Sequence, residues 1–257
     1  MKNVLKGLIL FVSIICAYGS VIAQDVAVYK DKEPAWIDPA QMVAAIEPAF
    51  QAKGIDYKVV KAPELVTYMK ANKTGIVIMT TGIAPSDIFK NQGDKDLVNT
   101  WLKDGGVMFW TGDWPFYYFD APANCPAAAG EISVFGVTIT AGPGSINMIP
   151  TEVGEKLMPS LKEHTSQRPI MLGTLESNKF NYESYADDGK TYADPIALQT
   201  AKMTGWFVNF HTWPENEDLK TIAIQMGELI INRFLLSKAV DSSGKLPVTW
   251  GDIKDQR

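Results

Sequence analysis

Two spacings of apolar residues alternate along this chain. Short unbroken apolar runs fit strands buried on both faces, and runs with apolar positions three or four apart fit helices packed on one side. Val26-Ala27-Val28-Tyr29 marks a strand over residues 25–29. Asp38, Pro39 and Gln41 then read as an N-cap, a first helical turn and a capping-box partner. Met42, Val43, Ile46, Ala49 and Phe50 share one face of the helix that follows, with Pro48 as a flaw in it and Gly54 as its end. Strands are predicted over residues 57–60, 75–80 and 107–110. Helices are predicted over 63–71 and over 94–104, the latter closed by Gly105. A β-α-β-α-β-α-β order with buried strands predicts an α/β fold: a doubly wound, mostly parallel sheet.

Beyond the fourth strand the pattern loosens, which predicts an irregular insertion. Residues 121–130 read as an Ala/Pro loop, 134–140 as a strand, 151–163 as a helix, and 175–185 and 195–200 as strands around a turn at Asp187-Asp188-Gly189. Order returns with a strand over 206–210. The strongest helix, over 214–237, carries Leu219, Ile222, Ala223, Met226, Leu229, Ile230 and Phe234 on one stripe.

The amino-terminal segment has the pattern of a secretory signal. Lys2 and Lys6 precede an uncharged, mostly apolar stretch over residues 7–17, and Val21-Ile22-Ala23 offers a cleavage site before Gln24. The stretch is short of the ~20 residues of a membrane-spanning helix. The expected division is a signal peptide over 1–23, one α/β domain over 24–237 and an extension over 238–257, with export and no membrane anchor after cleavage. Cleavage lowers Lys+Arg from 24 to 22 against 29 Asp+Glu, a formal charge of −7. That balance speaks against nucleic acid as a partner. Of the two cysteines only Cys125 would remain, so no intramolecular disulfide forms.

Ligands of open parallel sheets bind outside the carboxyl ends of the strands. Four loops qualify, over residues 30–36, 81–87, 111–118 and 211–217. The third sets Asp113 among Trp114, Phe116, Tyr117 and Tyr118, and the fourth supplies His211, Trp213, Glu215 and Glu217. Asp113, His211 and Glu215 are the candidate acid–base residues, and Asp113, Trp114, Tyr117, His211 and Trp213 the candidate ligand contacts. Each has a plain structural reading too: a turn-capping acid, packed aromatics, a hydrogen-bonded histidine, acids in a first helical turn. No G-x-G-x-x-G follows the first strand and no P-loop occurs. His164 and His211 stand 47 residues apart with no metal-ligand spacing. Neither a cofactor nor a metal is expected.

The β-α order, the run Gly105-Gly106-Val107-Met108-Phe109-Trp110 before a Gly-containing turn, and Gly205-Trp206-Phe207-Val208 before a final helix resemble the class I glutamine amidotransferase-like superfamily. Its relatives include ThuA-like domains and the amidotransferase-like domain of some β-galactosidases. The resemblance implies a flavodoxin-like three-layer sandwich and, in catalytic members, a cysteine nucleophile on the strand-to-helix elbow served by a His and a Glu. Here the elbow reads Thr111-Gly112-Asp113-Trp114-Pro115, with neither Cys nor Ser, and Cys125 comes a dozen residues later. The expectation is a non-catalytic domain that binds a small polar ligand or a glycan. A hydrolase pairing Asp113 with His211 or Glu215 is the alternative, and a protein-interaction subunit docking through the aromatic loop is a third. Intact-mass analysis or amino-terminal sequencing of exported protein is expected to find Gln24 first. Retention of residues 1–23 would mean that the segment is an anchor.

Overall fold

The computed structural model describes residues 26–31, 37–142, 144–212 and 218–235. The segment 1–23, the extension 238–257, and Trp213, Glu215 and Glu217 therefore lie outside the described residues.

The described residues open with β1 (Val26–Tyr29), α1 (Pro39–Ala52), β2 (Tyr57–Val60), α2 (Ala62–Ala71), β3 (Ile76–Met79) and the short β4 (Ile83–Ala84). Next come α3 (Leu97–Asp104), β5 (Val107–Gly112), the two-residue β6 (Tyr118–Phe119) and α4 (Ala128–Phe135). The insertion continues with β7 (Ile146–Pro150), α5 (Glu152–Leu157), β8 (His164–Ser166), β9 (Ile170–Met171), α6 (Leu172–Ser177), β10 (Asn181–Ser184), β11 (Ala186–Asp187) and β12 (Tyr192–Ala193). The main fold resumes with β13 (Ile196–Gln199), β14 (Trp206–Thr212) and α7 (Leu219–Leu229), whose axis runs on through a π-helical segment, Ile230–Leu235.

The main sheet has the order β10-β13-β14-β5-β3-β1-β2. The strands from β14 to β2 are parallel, and β13 and β10 extend that edge with antiparallel pairings. Alternate side chains of each buried strand enter opposite cores. Val26, Val28, Ile76, Ile78, Val107, Phe109 and Val208 meet α1 and α7 on one face. Ala27, Val77, Met79, Met108, Trp110 and Phe207 meet α2, α3 and α4 on the other. The result is the expected three-layer, doubly wound α/β fold. A smaller sheet from the insertion, order β8-β7-β11-β12-β9, packs beside it. Met148 and Ala186 join the first core, and Ile170 and Ala193 the second.

Local signals explain the boundaries. Asp38 accepts the Ala40 N–H at 2.8 Å, and Gln41 Nε2 donates to its other oxygen. The helix so capped runs through Pro48 to Ala52. Gly105 ends α3 in the left-handed region, φ 117°. Four expectations are corrected. Residues 134–140 are not a strand: Val134 and Phe135 are the inward end of α4, which Gly136 terminates at φ 84°. The helix expected over 151–163 stops at Leu157, because Pro159 bars helical geometry at Met158. Residues 175–185 divide into the end of α6 and β10, and Leu175 is buried from the helix. The last helix is capped at Asp218, whose carboxylate accepts the Lys220 N–H.

Glu131 on α4 is 2% exposed, and its Oε2 accepts the N–H groups of Ile139 and Thr140. Burial pushes its carboxyl above the usual carboxylate range, against the pull of those hydrogen bonds. A carboxyl raised on folding favours the folded state while protonated. It withdraws stability as pH rises from its unfolded value, about 4.3, through its folded one. Glu131→Gln keeps an acceptor and loses the titration. Its melting temperature is expected to fall less than that of the unmodified protein between acid and neutral pH. Parallel melting curves across that range would remove this assignment.

Candidate functional site

The carboxyl edge of the sheet is built by hydroxyl straps. Thr80 Oγ1 donates to the Tyr29 carbonyl at 2.6 Å, and Thr111 Oγ1 to the Met79 carbonyl at 2.9 Å. These side chains finish the ladders of β1, β3 and β5 where main-chain pairing ends. Gly112, at φ 105°, then turns the chain sharply. A Cβ there would lie 2.3 Å from Gly82 N, so the loops after β3 and β5 touch backbone to backbone. Trp110 Nε1 donates to the Asp113 carbonyl and holds the turn.

Asp113, a candidate acid–base residue on this edge, is not open to solvent. It is 3% exposed, because the segment between β8 and β9 folds over it. Arg168 Nε donates to Asp113 Oδ1 at 2.9 Å, and the guanidinium lies over the Trp114 ring, 5.0 Å from its centroid. Burial raises the Asp113 carboxyl above its ordinary value, while the Trp114 N–H and Arg168 pull it down. Arg168 also accepts, through its carbonyl, a hydrogen bond from Asn209 Nδ2 on β14. One residue of the insertion thereby spans the ends of β5 and β14, which pair in parallel with Asn209 beside Trp110.

The aromatic loop divides. Phe116 is fully buried at φ 59° and packs on Trp110, Phe89 and Phe207, so it belongs to the core. Trp114, Tyr117 and Tyr118 are half-buried and form a row, with ring centroids 4.6 and 4.8 Å apart. The exposed Cys125 lies beside Tyr117, whose phenol is raised by burial and then by that thiol.

His211 is 1% exposed and holds an uncommon positive φ of 48°. Its backbone N–H donates to Asp194 Oδ1 at 2.9 Å, and its ring stacks on His164 at 4.3 Å. The fully buried Asp194 also accepts from Ser166 Oγ at 2.6 Å. Asp113 and His211 therefore share an edge, each held by its own partners: Arg168 for the first, Asp194 and His164 for the second.

Sequence reasoning names neither these partners nor the cleft of about 460 Å³ where the crossovers from β1 reverse direction, although two of its strand-end loops, over residues 30–36 and 81–87, supply part of the lining. Tyr29, Asp31, Thr81, Asp87 and Asp120 line it. Tyr29 donates to Asp31 Oδ2, and its phenol is raised by burial and by Asp31, Asp120 and Asp87. The two-residue ladder between β4 and β6 joins this cleft to the aromatic row, since Ile83 lines the cleft and pairs with Tyr118. A larger hollow, about 590 Å³, lies among Asn99, Lys103 and Lys202 at the amino ends of β5 and β14, away from the edge that parallel sheets use for ligands. Among the described residues no helix is long and apolar enough to cross a membrane. Also among the described residues, no group of three or more His, Cys, Asp or Glu is placed to hold a metal ion.

No protein-family model and no curated protein matches this chain. Solved structures do. A Thermoplasma acidophilum protein described as a GMP synthase component is 12% identical, with 87% of this chain and 98% of that one covered and a TM-score of 0.44. A ThuA-like protein from Bacteroides uniformis is also 12% identical, with coverage of 84% and 92% and a TM-score of 0.47. The glutaminase domain of Trypanosoma brucei CTPS is 11% identical, with coverage of 87% and 95% and a TM-score of 0.40. These structural neighbours are ThuA-like and glutamine amidotransferase-like in fold.

The Asp113–Arg168 pair is expected to be stabilising chiefly because breaking it strands a buried carboxylate. Arg168→Met should cost about 3 kcal/mol near neutral pH, the usual loss for one partner of a buried pair. Removing the arginine raises the Asp113 carboxyl further, so the loss should shrink toward acid pH, where Asp113 is protonated. Adding Asp113→Asn should recover part of it. Equal losses at every pH, measured by denaturant unfolding, would contradict the pairing.

Proposed function

We propose that this chain is an exported, non-catalytic domain of amidotransferase-like architecture that binds a small polar ligand, with a carbohydrate as the best fit, at the carboxyl edge of its sheet. The observation that carries the reading is the cleft where the crossovers reverse, with Tyr29, Asp31, Asp87 and Asp120 beside the row of Trp114, Tyr117 and Tyr118. Carboxylates accept the hydroxyl groups of a sugar, and aromatic faces suit its C–H faces. Trp114 and Tyr117 are the proposed ring contacts. Asp113 acts through Arg168 by positioning it, and His211 anchors the strand end.

Binding is favoured over hydrolysis by the engagement of Asp113. An acid–base pair needs its members within reach of a shared reacting atom. Asp113 is instead buried against a guanidinium, while the His211 backbone N–H is held by Asp194 and its 1% exposed ring packs on His164. The elbow offers neither Cys nor Ser, and Cys125 is exposed at the end of the aromatic row. Export rests on the basic, apolar and small-residue pattern of residues 1–23.

Saturation-transfer NMR with a panel of neutral mono- and oligosaccharides, followed by calorimetry on those that bind, tests the reading. Asp87→Asn and Tyr117→Ala should each weaken binding about tenfold or more, a loss of roughly 1.4 kcal/mol, without changing the melting temperature. Failure of every sugar to bind, or undiminished binding by both variants, would overturn it. Release of reducing ends during the experiment would replace it with the hydrolase.

A further inference from the structure

We infer that the outer edge of β2 is a strand-addition site for an extended segment of another protein, running antiparallel to β2 with an acidic side chain between two apolar ones. β2 ends the seven-stranded sheet, and among the described residues no strand pairs with its outer side. The ladder settles which groups face inward. The Val26 N–H donates to the Asp56 carbonyl, and the Lys30 N–H to the Val60 carbonyl. Main-chain groups of successive residues face alternate sides of a strand. Lys58 therefore faces β1 with Asp56 and Val60, while the N–H and C=O groups of Tyr57 and Val59 face outward. Each of these two residues can exchange a pair of hydrogen bonds with an added antiparallel strand. The open stretch ends at Lys61, whose N–H donates to Glu64 and whose carbonyl accepts the Leu65 N–H.

The space beside this edge suits a strand. Tyr57 meets Phe50 of α1 on one face of the sheet, ring centroids 5.7 Å apart. Lys58 points to the other face, its Nζ 4.9 Å from the centroid of the Tyr68 ring on α2. A hollow of about 430 Å³ lies on the α1 side, lined by Val59, Pro39, Ala40 and Lys61. Another of about 440 Å³ lies on the α2 side, lined by Lys58, Pro63, Thr67, Tyr68 and Ala71. A strand added at the usual spacing of about 4.8 Å sends successive side chains to opposite faces, so it would fill the two hollows in turn. Val59, an apolar side chain left 44% exposed between them, would be covered.

The charge of Lys58 selects the occupant. A second copy could pair its own β2 here, and a two-fold axis makes that pairing antiparallel. The register that engages both outward residues sets Tyr57 opposite Val59 of the other copy. Lys58 then stands opposite its own counterpart in the close, non-hydrogen-bonded position, about 4.5 Å apart at Cα, where like charges are destabilising. The edge thus resists self-pairing and favours a strand with a carboxylate at that position. The residues on either side of the carboxylate fall on the α1 face, opposite Val59 and Tyr57, where apolar side chains fit. This inference goes beyond the ligand reading of the carboxyl edge and stands without it.

A capped peptide, acetyl-Thr-Val-Glu-Val-Thr-amide, titrated to millimolar concentration against the nitrogen-15-labelled protein, tests the site. The expected result is displaced amide signals at Tyr57 and Val59, with slower exchange of the Val59 amide. The same peptide with Lys in place of Glu should bind about fivefold more weakly. Val59→Pro removes an outward N–H and leaves the β1 ladder intact, so it should abolish the response with little change in melting temperature. If that variant fails to fold, the peptide methylated at both valine nitrogens should fail to bind. Unmoved Tyr57 and Val59 signals, or undiminished binding after either change, would overturn the site. Equal affinity for the Lys peptide would overturn the acidic occupant. A dimer in sedimentation that Val59→Pro dissociates would replace it with a second copy.

Discussion

The carboxyl edge depends on how closely β5 and β14 approach at their other end. A Cβ at Gly205 would stand 1.9 Å from the Gly106 carbonyl oxygen, a distance no side chain tolerates. Glycine at Gly205 lets the Trp206 N–H donate to Gly106 O and starts the ladder with Trp206 beside Val107. The parallel register then runs through Asn209 and Trp110, so both strands deliver their loops to one side. A larger residue at Gly205 would force the strands apart where pairing begins, and Asp113 and His211 would lose their shared edge.

That edge is completed by the insertion rather than by the sheet. Arg168 neutralises the buried Asp113, stacks on Trp114 and receives Asn209, while Asp194 gathers Ser166, His211 and the ring of His164. Both hubs are buried charges or carry buried charge partners, and such groups are costly unless fully engaged. Their engagement fixes where the small sheet sits. The half-buried aromatics, with Trp114 beneath Arg168, and the cleft of acids lie on the same edge.

The layers were legible in the sequence because buried parallel strands are continuous apolar runs, and the helices between them carry strong caps at Asp38 and Gly105. The apolar run over residues 206–210 marks a buried strand before the last helix, and its parallel pairing with β5 is seen in the fold. The strand-end rule names the loops at residues 81–87 and 111–118, and the structure sets both at the carboxyl edge of the sheet. Arg168 was invisible because its partner is 55 residues away, in a segment with no clear period. His164 was passed over since spacing along the chain says nothing about stacking across two sheets. Phe116 resembles its half-buried aromatic neighbours in sequence, and a positive φ turns it inward. Asp120 joins Asp31 and Asp87 through the β4–β6 ladder, a two-residue pairing with no signature in the sequence.

A crystal structure of the protein soaked with an oligosaccharide that it binds tests the central claim, that the carboxyl edge organised by Arg168 and Asp194 is the functional surface. The account predicts sugar density in the cleft of Tyr29, Asp31, Asp87 and Asp120, with Arg168 still paired to Asp113. Density instead at the opposite edge, among Asn99, Lys103 and Lys202, would contradict it.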